Sequence, residues 1–214
     1  MSGFIKLCGL TRPADVACAV EAGADALGFI FWPGSPRCVD AETVAGFEVP
    51  AGCMKIGVFV NQPVEWVQSV VRTAKLDAVQ LHGDEDAAYI RSLNLPVWKA
   101  VHLDRLPPDW ESLPVERLLI DSGTVEMPGG TGKTVDLVRA EAFTAKTRHK
   151  VLLAGGLKGD TVAHAIQSVK PCGVDVSSGI ETAPGIKSPD GITLFVREAR
   201  KAFLSLSPPS RLIS

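Results

Sequence analysis

Apolar runs and amphipathic stretches alternate along almost the whole of this chain, and this alternation most constrains how it can fold. Eight short runs rich in apolar and β-branched residues recur, at Phe4–Cys8, Ala26–Phe31, Lys55–Val60, Ala78–Leu81, Val97–Val101, Leu118–Asp121, Val151–Ala154 and Val174–Ser177. Each run is nearly continuous, which is typical of parallel strands buried on both faces. Helix-like stretches fall between them, at Pro13–Glu21, Ala41–Phe47, Pro63–Lys75, Glu85–Leu93, Val135–Phe143, Thr161–Val169 and Pro189–Phe203. The segment after the fifth run, Leu103–Leu113, is the weakest candidate for a helix.

Eight strand–helix units in one chain of 214 residues predict an α/β protein with a single closed (β/α)8, or TIM, barrel. The barrel is expected to span residues 1–204, because no linker separates a second domain. The tail, residues 205–214, is rich in Ser and Pro and is expected to fray.

Composition and charge argue against several classes of function. The formal net charge is -2, and basic residues are scattered, which is unlike a nucleic-acid binder. The amino terminus lacks a secretory pattern, and no apolar run approaches the roughly 20 residues needed to span a bilayer, so we expect a cytoplasmic protein. The five cysteines are widely spaced without CxxC or zinc-ligand spacing, which indicates reduced thiols and no metal.

The carboxyl ends of the predicted strands carry two groups suited to proton transfer. In a (β/α)8 barrel the loops at these ends form the active face. Cys8 ends the first strand and Asp121 the sixth, which makes a thiol base and a carboxylic acid a candidate pair. Spacing alone leaves two alternatives open: Cys8 as a small buried apolar residue, and Asp121 as a loop cap.

The loops after the last two strands predict a phosphate site. Gly155 and Gly156 follow the seventh strand, and Ser177, Ser178 and Gly179 follow the eighth. These are the usual phosphate-binding loops of such barrels, and their backbone N–H groups can approach an anion closely. The alternative is that the glycines only form tight turns, but paired loops at these two strands favour phosphate.

The glycine-rich segment Gly129–Thr134 resembles a nucleotide-binding P-loop but fails the pattern. GxxxxGK[ST] requires glycine where Met127 stands, so ATP or GTP binding is not predicted. The surrounding loop, Ser122–Lys133, contains several glycines and is better interpreted as a flap over the active face.

Three further side chains are expected inside the barrel. Strand alternation places Lys6 on the same face as Cys8, and Asp175 lies on the strand that closes against the first. A charge inside a barrel must be paired, so we predict a Lys6–Asp175 ion pair. His82 shares a face with Gln80, and either lines the pocket or supports a residue that does.

An ordered set of motifs resembles the phosphoribosylanthranilate isomerase family of tryptophan biosynthesis. The matching segments are Ile5–Arg12, Gly23–Phe31, Ser35–Arg37, Gly57–Asn61, Val79–Asp84, Gly129–Thr134, Leu153–Leu157 and Val174–Glu181. The resemblance implies an Amadori rearrangement of N-(5-phosphoribosyl)anthranilate, without metal or cofactor. It implies that Asp121 is the general acid and Cys8 the general base. It also implies that Arg37 holds the anthranilate carboxylate, and a guanidinium fork suits that planar group.

Two rival functions are weaker. Another phosphosugar-processing barrel enzyme would carry an aspartate at position 8, or a lysine reaching the active face, and Lys6 lies one layer too deep. A non-catalytic phosphosugar-binding regulator would need neither Cys8 nor Asp121. The expected partner is therefore a small-molecule phosphosugar, with protein partners unknown.

Overall fold

A computed structural model describes residues 3–121 and 135–206, and its strands close into a barrel. The barrel strands are β1 (Phe4–Cys8), β2 (Ala26–Ile30), β3 (Met54–Phe59), β4 (Ala78–Leu81), β5 (Val97–Val101), β6 (Arg117–Ile120), β7 (Lys150–Leu153) and β8 (Gly173–Val176). Every neighbouring pair is parallel, and β1 closes the barrel by pairing with β8. The predicted (β/α)8 architecture is therefore confirmed. The first and last residues of each strand lie within one residue of their predicted positions.

Helices cover the outside of this barrel. They are α1 (Pro13–Glu21), α2 (Ala41–Ala45), α3 (Val64–Ala74), α4 (Ala87–Ser92), α5 (Leu137–Lys146), α6 (Val162–Val169) and α7 (Pro189–Leu206). Asp40, Asp86 and Asp136 cap α2, α4 and α5 by accepting hydrogen bonds from first-turn N–H groups. None of the described helices combines the length and apolar character needed to cross a lipid bilayer.

The barrel interior is filled at its amino-terminal end. Trp98 is fully buried and meets the Phe4 ring edge-on, with the ring centroids 5.6 Å apart. The Arg117 guanidinium lies 4.5 Å from the Phe4 centroid and 5.3 Å from that of Trp98, which is cation–π geometry. Because these side chains lie at or next to the first residues of strands β1, β5 and β6, space for a ligand remains at the carboxyl ends.

The predicted ion pair inside the barrel is confirmed. Lys6 and Asp175 are register partners on β1 and β8, and Lys6 Nζ lies 2.7 Å from Asp175 Oδ1. Lys6 is fully buried and Asp175 is 8% exposed. The pair therefore lies directly beneath the open end of the barrel.

The structure departs from the sequence prediction in two connections. The segment after β5 forms only a 3₁₀ turn at Trp110–Ser112, because its prolines interrupt helical hydrogen bonding. After β8, a short antiparallel hairpin follows, made of β9 (Glu181–Ala183) and β10 (Ile186–Lys187). The P-loop-like segment and the predicted flap lie outside the described residues, as does the tail beyond Leu206.

Candidate active site

The carboxyl ends of the strands surround a cavity of about 750 Å³ that is open to solvent. The residues predicted for the site all line this one cavity: Cys8, Arg37, His82, Asp121, Gly155, Gly156, Ser177, Ser178 and Gly179. The structure therefore brings together side chains and loops from five strand ends and from the loop after β2.

Cys8 ends β1 with its thiol inside the barrel, and it is 5% exposed. The neighbouring residue on β2 is Gly28, where an added Cβ would lie only 2.7 Å from Cys8 Sγ. A side chain at position 28 would thus displace the sulfur. Burial raises the pKa of the Cys8 thiol, whereas the Lys6 ammonium acts in the opposite direction.

Asp121 follows β6 and belongs to a chain of polar side chains. His82 Nε2 lies 3.1 Å from Asp121 Oδ2, and His82 Nδ1 lies 3.2 Å from Gln80 Nε2. With Gln80 donating to Nδ1, the proton of a neutral His82 is on Nε2, beside the carboxyl group. The contact is close, although it lacks the alignment of a hydrogen bond. His82 is therefore a direct neighbour of the predicted acid.

The loop that carries His82 is held from below by a buried carboxylate. Glu85 accepts hydrogen bonds from the backbone N–H groups of Asn61 and Gly83, at 2.7 and 3.0 Å. Lys99 Nζ lies 3.2 Å from Glu85 Oε2 and donates to the Gly83 carbonyl as well. These bonds tie the end of β4 to its neighbours on both sides and fix the position of His82.

Arg37 is oriented by a buried carboxylate on the hairpin. Its Nε and Nη2 atoms donate to the two carboxylate oxygens of Glu181, each at 2.7 Å. Lys187 Nζ donates to the same carboxylate at 2.8 Å and to the Ser177 carbonyl at 3.1 Å. Burial acts to raise the pKa of Glu181, but the bonds from Arg37 and Lys187 outweigh burial and lower that pKa.

The two loops predicted to bind phosphate contain glycines at positions where a side chain would be strained or would clash. Gly155 and Gly156 have positive φ angles of 86° and 67°. At Gly179 an added Cβ would lie 1.8 Å from the Leu157 carbonyl oxygen, so the two loops touch through their backbones. The Ser177 hydroxyl is buried, with no hydrogen-bond partner among the described residues.

Sequence reasoning missed three residues around this cavity. Glu181 ends a matching motif, but nothing in its spacing indicated the pairing with Arg37. Lys187 precedes the last predicted helix and was given no role; it is 1% exposed. His102, just after β5, is half-buried, with its ring centroid 6.4 Å from that of His82. Burial lowers the pKa of His102, against the opposing influence of Asp121.

A closed (β/α)8 barrel with this cavity at its carboxyl end defines an enzyme of small-molecule metabolism. A family model described as N-(5'-phosphoribosyl)anthranilate (PRA) isomerase matches residues 5–198. N-(5'-phosphoribosyl)anthranilate isomerase of Trichlorobacter lovleyi is 42% identical, over 92% of this chain and 98% of the relative. The phosphoribosyl anthranilate isomerase structure from Thermus thermophilus matches with a TM-score of 0.84 and 33% identity, over 94% and 99% of the two chains.

One further solved structure of this kind was determined with a bound ligand. It is a phosphoribosyl anthranilate isomerase in complex with reduced 1-(o-carboxyphenylamino)-1-deoxyribulose 5-phosphate. It matches with a TM-score of 0.79 and 32% identity, over 93% of this chain and 99% of that chain. The chain belongs to the N-(5'-phosphoribosyl)anthranilate isomerase family and is an isomerase of tryptophan biosynthesis.

Proposed function

We propose that this isomerase converts N-(5'-phosphoribosyl)anthranilate to 1-(2-carboxyphenylamino)-1-deoxyribulose 5-phosphate, with Asp121 as general acid and Cys8 as general base. The observation that carries the assignment is that both groups line the cavity, from the ends of β6 and β1. The solved relative with a bound reduced product analogue supports the same class of ligand.

The proposed reaction begins with ring opening. The Asp121 carboxyl donates its proton to the furanose oxygen as the bond from that oxygen to C1 breaks. The nitrogen lone pair forms a C=N bond to C1, which gives an iminium ion. This step requires Asp121 to be protonated at the start, and its side chain lines the cavity with 8% of the residue exposed.

The second step is proton abstraction from C2. The Cys8 thiolate takes the C2 proton, the electrons of that C–H bond form a C1=C2 double bond, and the iminium nitrogen becomes neutral. The resulting enolamine gains a proton at C1 and loses the proton of its C2 hydroxyl, which gives the ketone. Atoms and charge balance, because one proton is delivered by Asp121 and one is taken by Cys8.

Arg37 is proposed to bind the anthranilate carboxylate. Glu181 occupies Nε and Nη2, while Nη1 has no hydrogen-bond partner among the described residues. The guanidinium is therefore held rigidly, with one edge left for a ligand in the cavity that it lines.

Arg37→Ala is expected to raise KM about 10–100-fold with a much smaller change in kcat, since a hydrogen bond to a charged group contributes about 1.5–3 kcal/mol. Steady-state kinetics over a range of substrate concentrations measure both constants. Arg72→Ala, which removes an exposed arginine from α3, is the matched control. A fall in kcat at unchanged KM would contradict a binding role for Arg37.

The substrate phosphate is proposed to bind between the two loops formed by Gly155, Gly156 and Ser177–Gly179. Positive φ angles at the first two residues turn the backbone toward the cavity. The buried Ser177 hydroxyl adds a polar group at the same place. Lys187 supports the second loop through the Ser177 carbonyl.

Gly179→Ala tests this phosphate site. The new methyl group would overlap the Leu157 carbonyl oxygen and push the two loops apart. We therefore expect KM to rise at least about 10-fold, which corresponds to the loss of one hydrogen bond to a charged group. Inorganic phosphate should act as a competitive inhibitor of the wild-type enzyme, and its affinity for the variant should fall by a similar factor. Gly46→Ala is the control, because its Cβ would meet the nearest backbone atom at an ordinary 3.5 Å. Unchanged phosphate inhibition in Gly179→Ala would place the phosphate elsewhere.

The proposed function as a whole is tested by the loss of anthranilate-type fluorescence when the protein meets freshly generated substrate. Cys8→Ala is assayed in parallel, because the substrate also hydrolyses on its own and the variant sets that baseline. Rapid loss with the wild-type protein alone is the expected result. Equal loss with both proteins would contradict the assignment of Cys8.

We further infer a cytoplasmic location and a phosphosugar as the small-molecule partner, with no nucleic-acid partner. All five cysteines are free thiols, which fits a reducing compartment. A fractionation experiment that follows the protein with an antibody checks the location.

A further inference from the structure

The burial of Lys6 inside the barrel is energetically unfavourable for a charged side chain. The residue is fully buried, and the apolar side chains that fill the interior around it include Ala26, Ile56 and Leu119. Taking an ammonium and a carboxylate out of water costs several kcal/mol per ion, and apolar residues of similar volume often stabilise a fold as well or better. The pair with Asp175 therefore calls for an explanation other than stability.

The Lys6 ammonium lies next to the Cys8 sulfur. Both side chains extend toward the position that a Cβ atom of residue 28 would occupy. A Cβ atom there would lie 2.7 Å from Cys8 Sγ and 3.0 Å from Lys6 Nζ. Strand alternation on β1 stacks Lys6 one layer below Cys8, and the salt bridge to Asp175 holds its Nζ in that layer. Glycine at position 28 lets the two groups converge.

Buried charged groups surround Cys8 from several elements. Lys6 faces it from β1, Asp175 from β8, Lys187 from β10 and Arg37 from the loop after β2. Burial is the largest influence on the pKa of Cys8 and raises it, Asp175 raises it further, and the two lysines act in the opposite direction without cancelling burial. Glu181 completes the set by bonding Arg37 and Lys187.

Among these five buried charged side chains, the cations outnumber the carboxylates. The positive members are Lys6, Arg37 and Lys187, and the negative members are Asp175 and Glu181, all with side chains no more than 10% exposed. With a neutral thiol, one positive charge in the cluster has no negative counterpart. An uncompensated buried charge is costly, so the cluster favours the thiolate.

We propose that Lys6 is a positioning residue whose ammonium favours ionisation of the Cys8 thiol against the effect of burial, and that Asp175 keeps Lys6 charged for this purpose. The inference rests on the proposed role of Cys8 as the base. It explains how the cost of ionising a buried thiol is reduced, and why a lysine stands in an interior layer that apolar side chains would fill.

The test compares wild type with Lys6→Met/Asp175→Asn, which removes both charges and leaves neither partner unpaired. We expect the acid-side midpoint of the pH profile of kcat/KM to move up, by less than the ~1–3 pH units that follow the loss of an opposite charge within ~4–6 Å, because Asp175, which raises the pKa of Cys8, is removed together with Lys6. At pH values above the new midpoint the rate should recover, because the thiolate then forms without help. Lys55→Met removes another buried lysine, which bonds the Val44 carbonyl on the outside of the barrel, and should leave the midpoint unchanged.

A second readout needs no substrate. The rate of iodoacetamide alkylation at Cys8, followed by mass spectrometry of its peptide, reports the thiolate fraction of the free enzyme as a function of pH. The alkylation midpoint should shift with the kinetic one. If the double variant does not fold, Gly28→Ala serves instead, since its methyl group would wedge between Lys6 Nζ and Cys8 Sγ and should shift both midpoints in the same upward direction.

The outcomes separate this inference from the proposed function. A folded variant whose activity falls equally at all pH values, with unchanged midpoints, would show that Lys6 is only structural and would overturn the inference. The role of Cys8 itself is judged independently, by the turnover of Cys8→Ser with Lys6 in place.

Discussion

Cys8→Ser is expected to reduce kcat by roughly 10²–10⁴-fold, the usual contribution of a positioned general base, with little change in KM. Serine has nearly the shape of cysteine, so the barrel and the cavity are preserved. Its hydroxyl is far less acidic than a thiol, and the Lys6 ammonium cannot ionise it at neutral pH. The loss is therefore confined to the proton-transfer step. Steady-state fluorescence kinetics with freshly generated substrate measure both constants.

Cys53→Ser is the matched control for this prediction. Cys53 is a half-buried thiol just before β3, outside the cavity, and burial together with Asp25 and Asp77 raises its pKa to about 11. Cys53 thus illustrates how neighbouring carboxylates, rather than cations, raise the pKa of a thiol. Its replacement should leave kcat and KM unchanged. Near-normal turnover in Cys8→Ser would mean that another group removes the C2 proton.

The barrel and the residues of the cavity were predictable because both follow from local patterns. Continuous apolar runs mark buried parallel strands, and topology places the carboxyl ends of these runs at the active face. Cys8, Asp121 and the glycine pair after β7 were found in this way. The Lys6–Asp175 pair was predictable for the same reason, since strand alternation gives the facing direction and closure gives the neighbour.

The hairpin after β8 was not predictable in the same way. Its strands are only three and two residues long, too short for any periodicity to register. The Arg37–Glu181 pair joins residues 144 positions apart, and no local pattern records a contact at that separation. The orientation of Arg37 and the burial of Lys187 both depend on this hairpin. The electrostatic surroundings of Cys8 therefore emerged only from the folded structure.

Asp121→Asn is expected to reduce kcat by roughly 10²–10⁴-fold as well, because an amide has no acidic proton to give to the furanose oxygen. Asparagine keeps the size of aspartate and can still contact His82, so folding and KM should change little. Asp84→Asn, in the loop after β4, is the control, because its side chain is 77% exposed. Both variants are measured by the same fluorescence assay and by thermal unfolding.

The position of His82 gives this prediction a specific alternative. Its Nε2 lies 3.1 Å from Asp121 Oδ2 and it lines the same cavity, so it is the next group able to supply a proton. If Asp121 is the acid, His82→Gln should cost much less than Asp121→Asn, because glutamine still offers an N–H to the carboxyl group. If His82 is the acid, the order reverses, and Asp121 then serves to orient a protonated imidazole. The ratio of the two kcat values therefore decides which side chain opens the ring.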